Sequence, residues 1–227
     1  MRKILFILGL ALACSNMHAQ KMLHTLSDDQ LLHYGGFIGF NIPSYIVQPE
    51  EIYTPKVGFG VKIGGYVDLR VSKHLNLRVC PAFNANFINL QTITSDTIIE
   101  QLQVMPIEIP LYLKWSAERK GNYRPYVLGG GGLSCDISAF GEEESNILVK
   151  RIDYFAALGL GCDFYTEWFR CCPEIRYQIG FNNMLAEKNG DSWGKNGWTP
   201  HENPIFMQKL EKLIYHQVSI VFNFGSL

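Results

Sequence analysis

A chain of 227 residues with formal net charge -1 and a pI near 6.6 has the size of one domain and lacks the basic excess that nucleic-acid binding demands. Charged residues make up 18% and hydrophobic residues 47%, so charge falls below the roughly 25% usual in soluble domains. Gly 21, Tyr 11 and Phe 14 point to β structure with many turns or tight backbone contacts.

The chain opens MRKILFILGLALACSNMHAQ. Arg2 and Lys3 form a positive segment ahead of an apolar stretch at 4–13, which is too short to span a bilayer. We expect a signal peptide over 1–19, cleaved after Ala19, and a single barrel domain over 20–227. Ala11-Leu12-Ala13-Cys14 loosely resembles a lipobox, and lipidation of Cys14 would export the chain equally well. The other cysteines, Cys80, Cys135, Cys162, Cys171 and Cys172, are odd in number and irregular in spacing. They form neither a disulfide framework nor a zinc pair.

Strands are predicted near 33–43, 56–71, 74–88, 101–116, 122–138, 151–166, 171–183 and 213–224. Period-two alternation carries the prediction. In 57–71, Val57, Phe59, Val61, Ile63, Val67, Leu69 and Val71 share one face, and Lys62, Tyr66, Asp68 and Arg70 share the other. In 105–115, Ile107, Ile109, Leu111, Leu113 and Trp115 oppose Glu108, Tyr112 and Lys114. The connectors 72–73, 117–121 and 167–170 are short, whereas 44–55, 89–100, 139–150 and 184–212 are longer. An even strand count with short turns at one end and long loops at the other is the habit of an antiparallel transmembrane β-barrel of about eight strands. A soluble secreted barrel also alternates, with its polar face outward. Bilayer-length strands, Trp115, Trp168 and Phe169 at the short-turn end, and glycine-rich polar faces favour the membrane barrel. Its N- and C-termini and short turns would then be periplasmic, its longer loops extracellular, and its apolar faces set in outer-membrane lipid.

With the apolar faces outward, Lys62, Asp68, Arg70, Arg78, Glu108, Lys114, Arg124, Asp136, Arg151, Asp153, Asp163, Glu174 and Arg176 point into the lumen. A lumen only wide enough for side chains would bury these charges, so they are expected to pair in a network, most of it near the short-turn end. In CDFYTEWFRCCPEIRY, at 162–177, Asp163, Glu174 and Arg176 belong to that network. Residues 166–170 are read as the turn, and the cysteines diverge. The long loop carries Trp193, Trp198 and Phe206, candidates for an extracellular contact. No His, Asp or Glu spacing supports a metal, including Asp191, His201 and Glu202, and no cofactor is implied.

Several stretches carry a family resemblance: HYGGFIGFN at 33–41, VMPIEIPLYLKW at 104–115, YRPYVLGGG at 123–131, PEIRY at 173–177, GFNNML at 180–185 and NPIF at 203–206. In this order they resemble the PorT family of outer-membrane barrels, associated with type IX secretion and gliding motility in Bacteroidota. The chain departs from many outer-membrane barrels at its end, where Phe224 lies three residues before the terminus. The resemblance implies a part in exporting cargo proteins alongside other secretion proteins, and it implies no catalytic residue. Other roles remain open: a structural or adhesive barrel, a narrow channel, or a lipid A-modifying enzyme. An enzyme would need paired groups such as His216 and Ser219, yet these fall on opposite faces of their strand.

Overall fold

The computed structural model describes residues 30–48, 53–55, 57–92, 98–137, 152–166, 168–184 and 212–225. The expected signal peptide, Cys14, Arg151 and the loop aromatics Trp193, Trp198 and Phe206 lie outside the described residues. Eleven strands are described: β1 (Leu32–Gln48), β2 (Tyr53–Pro55), β3 (Phe59–Arg70), β4 (Leu75–Val79), β5 (Ala82–Thr92), β6 (Ile98–Val104), β7 (Pro106–Ser116), β8 (Tyr123–Asp136), β9 (Ile152–Tyr165), β10 (Arg170–Gly180) and β11 (Lys212–Gly225). All pairings are antiparallel, and β1 pairs with both β11 and β3, which closes the sheet into a ring.

The ring has eight staves. The predicted strand 74–88 is β4 followed by β5, and 101–116 is β6 followed by β7. Both divisions fall beside a proline, Pro81 or Pro106, which has no N–H to give the ladder. Pairing nevertheless runs through each gap in one register, from Val79↔Leu111 to Ala82↔Glu108 and from Phe83↔Ile107 to Asn86↔Val104. The segments expected as loops at 44–55 and 89–100 carry more strand than alternation suggested. There β1 continues to Gln48, β5 reaches Thr92 and the short β2 pairs with it.

Period-two alternation sorts the side chains. Ile63, Val67, Ile109, Leu111, Leu113, Leu158, Leu160 and Ile175 are exposed on the outside, while Asn41, Lys62, Arg78, Glu108, Lys114, Glu174 and Gln217 are buried within. A soluble barrel buries its apolar face and wets its polar one. The sorting here is the reverse, so the exterior is built for a hydrocarbon solvent and the soluble-barrel alternative falls. Among the described residues no helix is long and apolar enough to cross a membrane; the strands do the crossing.

The short connections, between β3 and β4, β7 and β8, and β9 and β10, lie at one end with the start of β1 and the end of β11. The β7–β8 connection tightens where Lys120 and Tyr123 exchange backbone hydrogen bonds, a turn closed by Gly121 at φ 62°.

Candidate functional site: the charged lumen and its short-turn rim

The lumen is filled in layers. Nearest the short turns, Arg78 donates from Nε to Asp68 Oδ1 at 2.5 Å and from Nη2 to Asp68 Oδ2 at 2.7 Å. Its Nη1 reaches Glu174 Oε2 at 3.1 Å, an oxygen that also accepts from the Tyr126 hydroxyl at 2.7 Å. Arg176 donates from Nε to the other oxygen of Glu174. Lys114 donates to both oxygens of Asp163, at 2.9 and 2.8 Å, and lies 3.9 Å from Asp68. Aromatic rings line the cations: Arg78 lies over Tyr66, Lys114 over Tyr126 and Arg176 over Tyr112.

A second layer is mainly amide. Lys62 donates to Glu108 Oε2 at 2.9 Å, while Gln178 and Gln217 donate to Oε1 at 2.9 and 3.3 Å. Gln217 also donates to Gln178 Oε1, and its own oxygen accepts from the Tyr215 hydroxyl. Asn41 donates to Asn84 and Asn86 and accepts from Ser219. Towards the long-loop end the apolar side chains of Val47, Ile88, Val104, Met184 and Leu213 join the buried filling.

Of the charges expected in the lumen, Lys62, Asp68, Arg78, Glu108, Lys114, Asp163, Glu174 and Arg176 are buried and joined by ion pairs or hydrogen bonds. Two others are only half-buried. Arg124 is half-buried at the rim, where Nε donates to the Ala117 carbonyl and Nη2 to the Lys73 carbonyl, tying two short turns together. Arg70 is half-buried at the end of β3, opposite Asn76. Both sit within a residue or two of a strand end. Asp136 and Asp153 are buried at the opposite end and accept from the backbone N–H groups of Met105 and Asn182.

Arg170 corrects the sequence reading, which placed it in a turn. The β9–β10 turn is tighter, because Thr166 and Phe169 bond each other through both backbone and hydroxyl. Arg170 therefore begins β10, pairs with Tyr165 and is buried, with Nη2 3.4 Å from the Tyr66 hydroxyl and 3.8 Å from Asp68 Oδ2. Stepping by two from Arg176 through Glu174 and Cys172 reaches position 170, a signal that stopping the strand at 171 hid. Tyr66, Asn84 and Gln217, placed on the polar face by alternation, serve these charges, and sequence reasoning did not single out Tyr126, Asn41, Asn86 and Gln178, which share the same lumen parity.

Outside, Trp115, Trp168 and Phe169 are all exposed at the short-turn end, and Phe169 lies against Phe224. The five described cysteines are free, and no cluster of three His, Cys, Asp or Glu side chains fit for a metal occurs among the described residues. His216 lies on the outer face beside Tyr177, while Ser219 is buried in the lumen, so the two do not meet.

Among solved structures, the chain is similar to the outer membrane protein OprG from Pseudomonas aeruginosa, at 13% identity over 84% of this chain and 94% of that one, with TM-score 0.49. It is also similar to Neisserial surface protein A, at 9% identity over 84% of this chain and 97% of that one, with TM-score 0.42. No curated protein matches. The family model described as outer membrane protein beta-barrel domain matches residues 18–186, most of the chain, and the protein therefore belongs to that family of outer-membrane β-barrels.

Proposed function

We propose that this barrel is a non-catalytic outer-membrane component of the type IX protein secretion machinery, of the PorT kind, needed for export or maturation of secreted cargo. The motif series from HYGGFIGFN to NPIF supports the link to that family. The observation that carries the mode of action is the filled lumen. Arg78 is ion-paired with Asp68 and Glu174, and Lys114 with Asp163, across it, and all five are almost wholly buried. A barrel so filled acts through its rim, loops and lipid-facing wall, with other secretion proteins as partners and without a cofactor. The short turns and both termini face the periplasm in this reading, and the long loops face outward.

A deletion strain tests the role. Cargo proteins should accumulate in the periplasm, and the parent gene should restore their release. Normal cargo release would remove the secretion role and leave a structural or adhesive barrel. Mass spectrometry of lipid A from the same strain should match the parent; an altered acylation pattern would make the barrel an enzyme instead.

A further inference from the structure

The short-turn rim carries an excess of positive charge. On the neighbouring β3–β4 and β7–β8 connections and their strand ends, Arg70, Lys73, Arg119, Lys120 and Arg124 are set against Glu118 alone among the described charges. Lys73 and Glu118 form a salt bridge between the two turns at 3.4 Å, with both side chains at least 70% exposed. Such a pair adds little stability, so these side chains remain available to a partner.

The cations are presented by rigid backbone. Arg124 holds the Ala117 and Lys73 carbonyls at 2.9 and 2.7 Å, and the turn at Gly121 fixes Lys120. Directly beneath, Arg78, Lys114, Arg170 and Arg176 face only Asp68, Asp163 and Glu174 within the short-turn layer of the lumen, so the buried layer adds to the positive field. The Arg119 guanidinium lies 3.9 Å over the ring of Tyr165, which is buried and faces the lumen. The β7–β8 turn thus leans inward over the lumen mouth, inside the outward-facing ring of Trp115 and Tyr123. A lipid headgroup lies outside that ring; a protein segment approaching along the barrel axis meets the cations first.

We propose that this rim is a docking pad for an acidic segment of a partner protein. The placement of that partner in the periplasm rests on the orientation proposed above, whereas the chemistry of the pad does not. Charge complementarity would set the rate and register of docking, and added salt would weaken it.

The test uses the full mature chain refolded in nanodiscs of neutral phosphatidylcholine and titrated with a fluorescent glutamate-rich peptide. Parent barrel should bind the peptide in a salt-sensitive way. Lys73→Glu/Lys120→Glu should weaken binding about tenfold or more. Lys188→Glu/Lys195→Glu, in the segment joining β10 to β11, should leave it unchanged. Heat-modifiable migration on gels checks folding, and Lys73→Gln/Lys120→Gln, which should weaken binding by a smaller factor, serves if the reversal variant misfolds. Equal binding by parent and rim variants overturns the proposal. It is also overturned if phosphatidylglycerol raises the parent's unfolding midpoint and the rim variant loses that gain, which would make the pad a headgroup site. Because the titration uses purified barrel, its failure is distinct from a failure of cargo export.

Discussion

At the scale of single residues, the lumen trades desolvation against pairing. Lys62 and Glu108 are 3% and 1% exposed and depend on each other and on Gln178 and Gln217. Truncating one partner leaves a buried charge uncompensated, at a cost of about 3–5 kcal/mol, whereas replacing both removes two desolvation penalties together. We therefore expect Glu108→Ala to lower the urea midpoint of the barrel in detergent micelles strongly, and Lys62→Met/Glu108→Gln to recover most of the loss. A double variant as unstable as the single would mean that the charge itself, not its compensation, holds this layer. Much of the layer was legible in the sequence, because a side chain's parity on a strand decides whether it meets lipid or lumen. The partners were not. That Arg78 would bridge Asp68 and Glu174, from β3 and β10, depends on barrel diameter and stagger, which no local pattern encodes.

At the scale of elements, the staves differ in how completely they are stitched. The seam between β4–β5 and β7 is the weak one. Residues of even number on β7 turn their backbone groups towards it, as the bonds from Ser116 N–H to His74 O and from Cys80 N–H to Pro110 O show. Pro106 and Pro110 therefore remove ladder donors along this seam, leaving Glu108 alone between them with an N–H to give. The β8–β9 seam has an uninterrupted register from Tyr123↔Phe164 to Cys135↔Ile152, and no proline interrupts its donors, because Pro125 turns its backbone to β7 instead. Hydrogen exchange in nanodiscs should find the amides of Cys80 and Ala82 exchanging about tenfold or more faster than those of Leu128 and Gly130. Uniform protection would mean that lipid and lumen packing, rather than ladder bonds, set the opening. The same prolines explain where the sequence reading of the fold fell short. Alternation continued through Pro81 and Pro106, so it gave the eight staves, but it gave no sign of the gaps inside two of them. It also missed the extension of β1 to Gln48, where Tyr45 and Val47 pack inward against β11 instead of ending the strand.

At the scale of the whole molecule, the barrel is a membrane-spanning cylinder whose axis is filled by side chains. Its outer wall carries aromatic side chains at both levels, Tyr34, Trp115, Tyr123 and Phe224 towards the short turns and Phe59, Tyr154 and Phe181 towards the long loops, with Ile, Leu and Val between. These girdles fix its depth in the bilayer. Inside, an eight-stave ring has room for side chains and little more. An ion passing along the axis would have to part Arg78 from Asp68 and Glu174, separate Lys62 from Glu108, and then displace Val47, Ile88 and Leu213. Each buried pair resists opening by several kcal/mol, because either charge left alone is stranded in a low-dielectric interior. The refolded mature barrel should therefore show no discrete current steps above the lipid background in planar bilayers at neutral pH. Parent steps whose size rises with potassium chloride concentration would mean that the layers part spontaneously, and would return the narrow-channel role to first place. A silent parent, with cargo still retained in the deletion strain, would leave the rim and loops as the surfaces through which this barrel does its work.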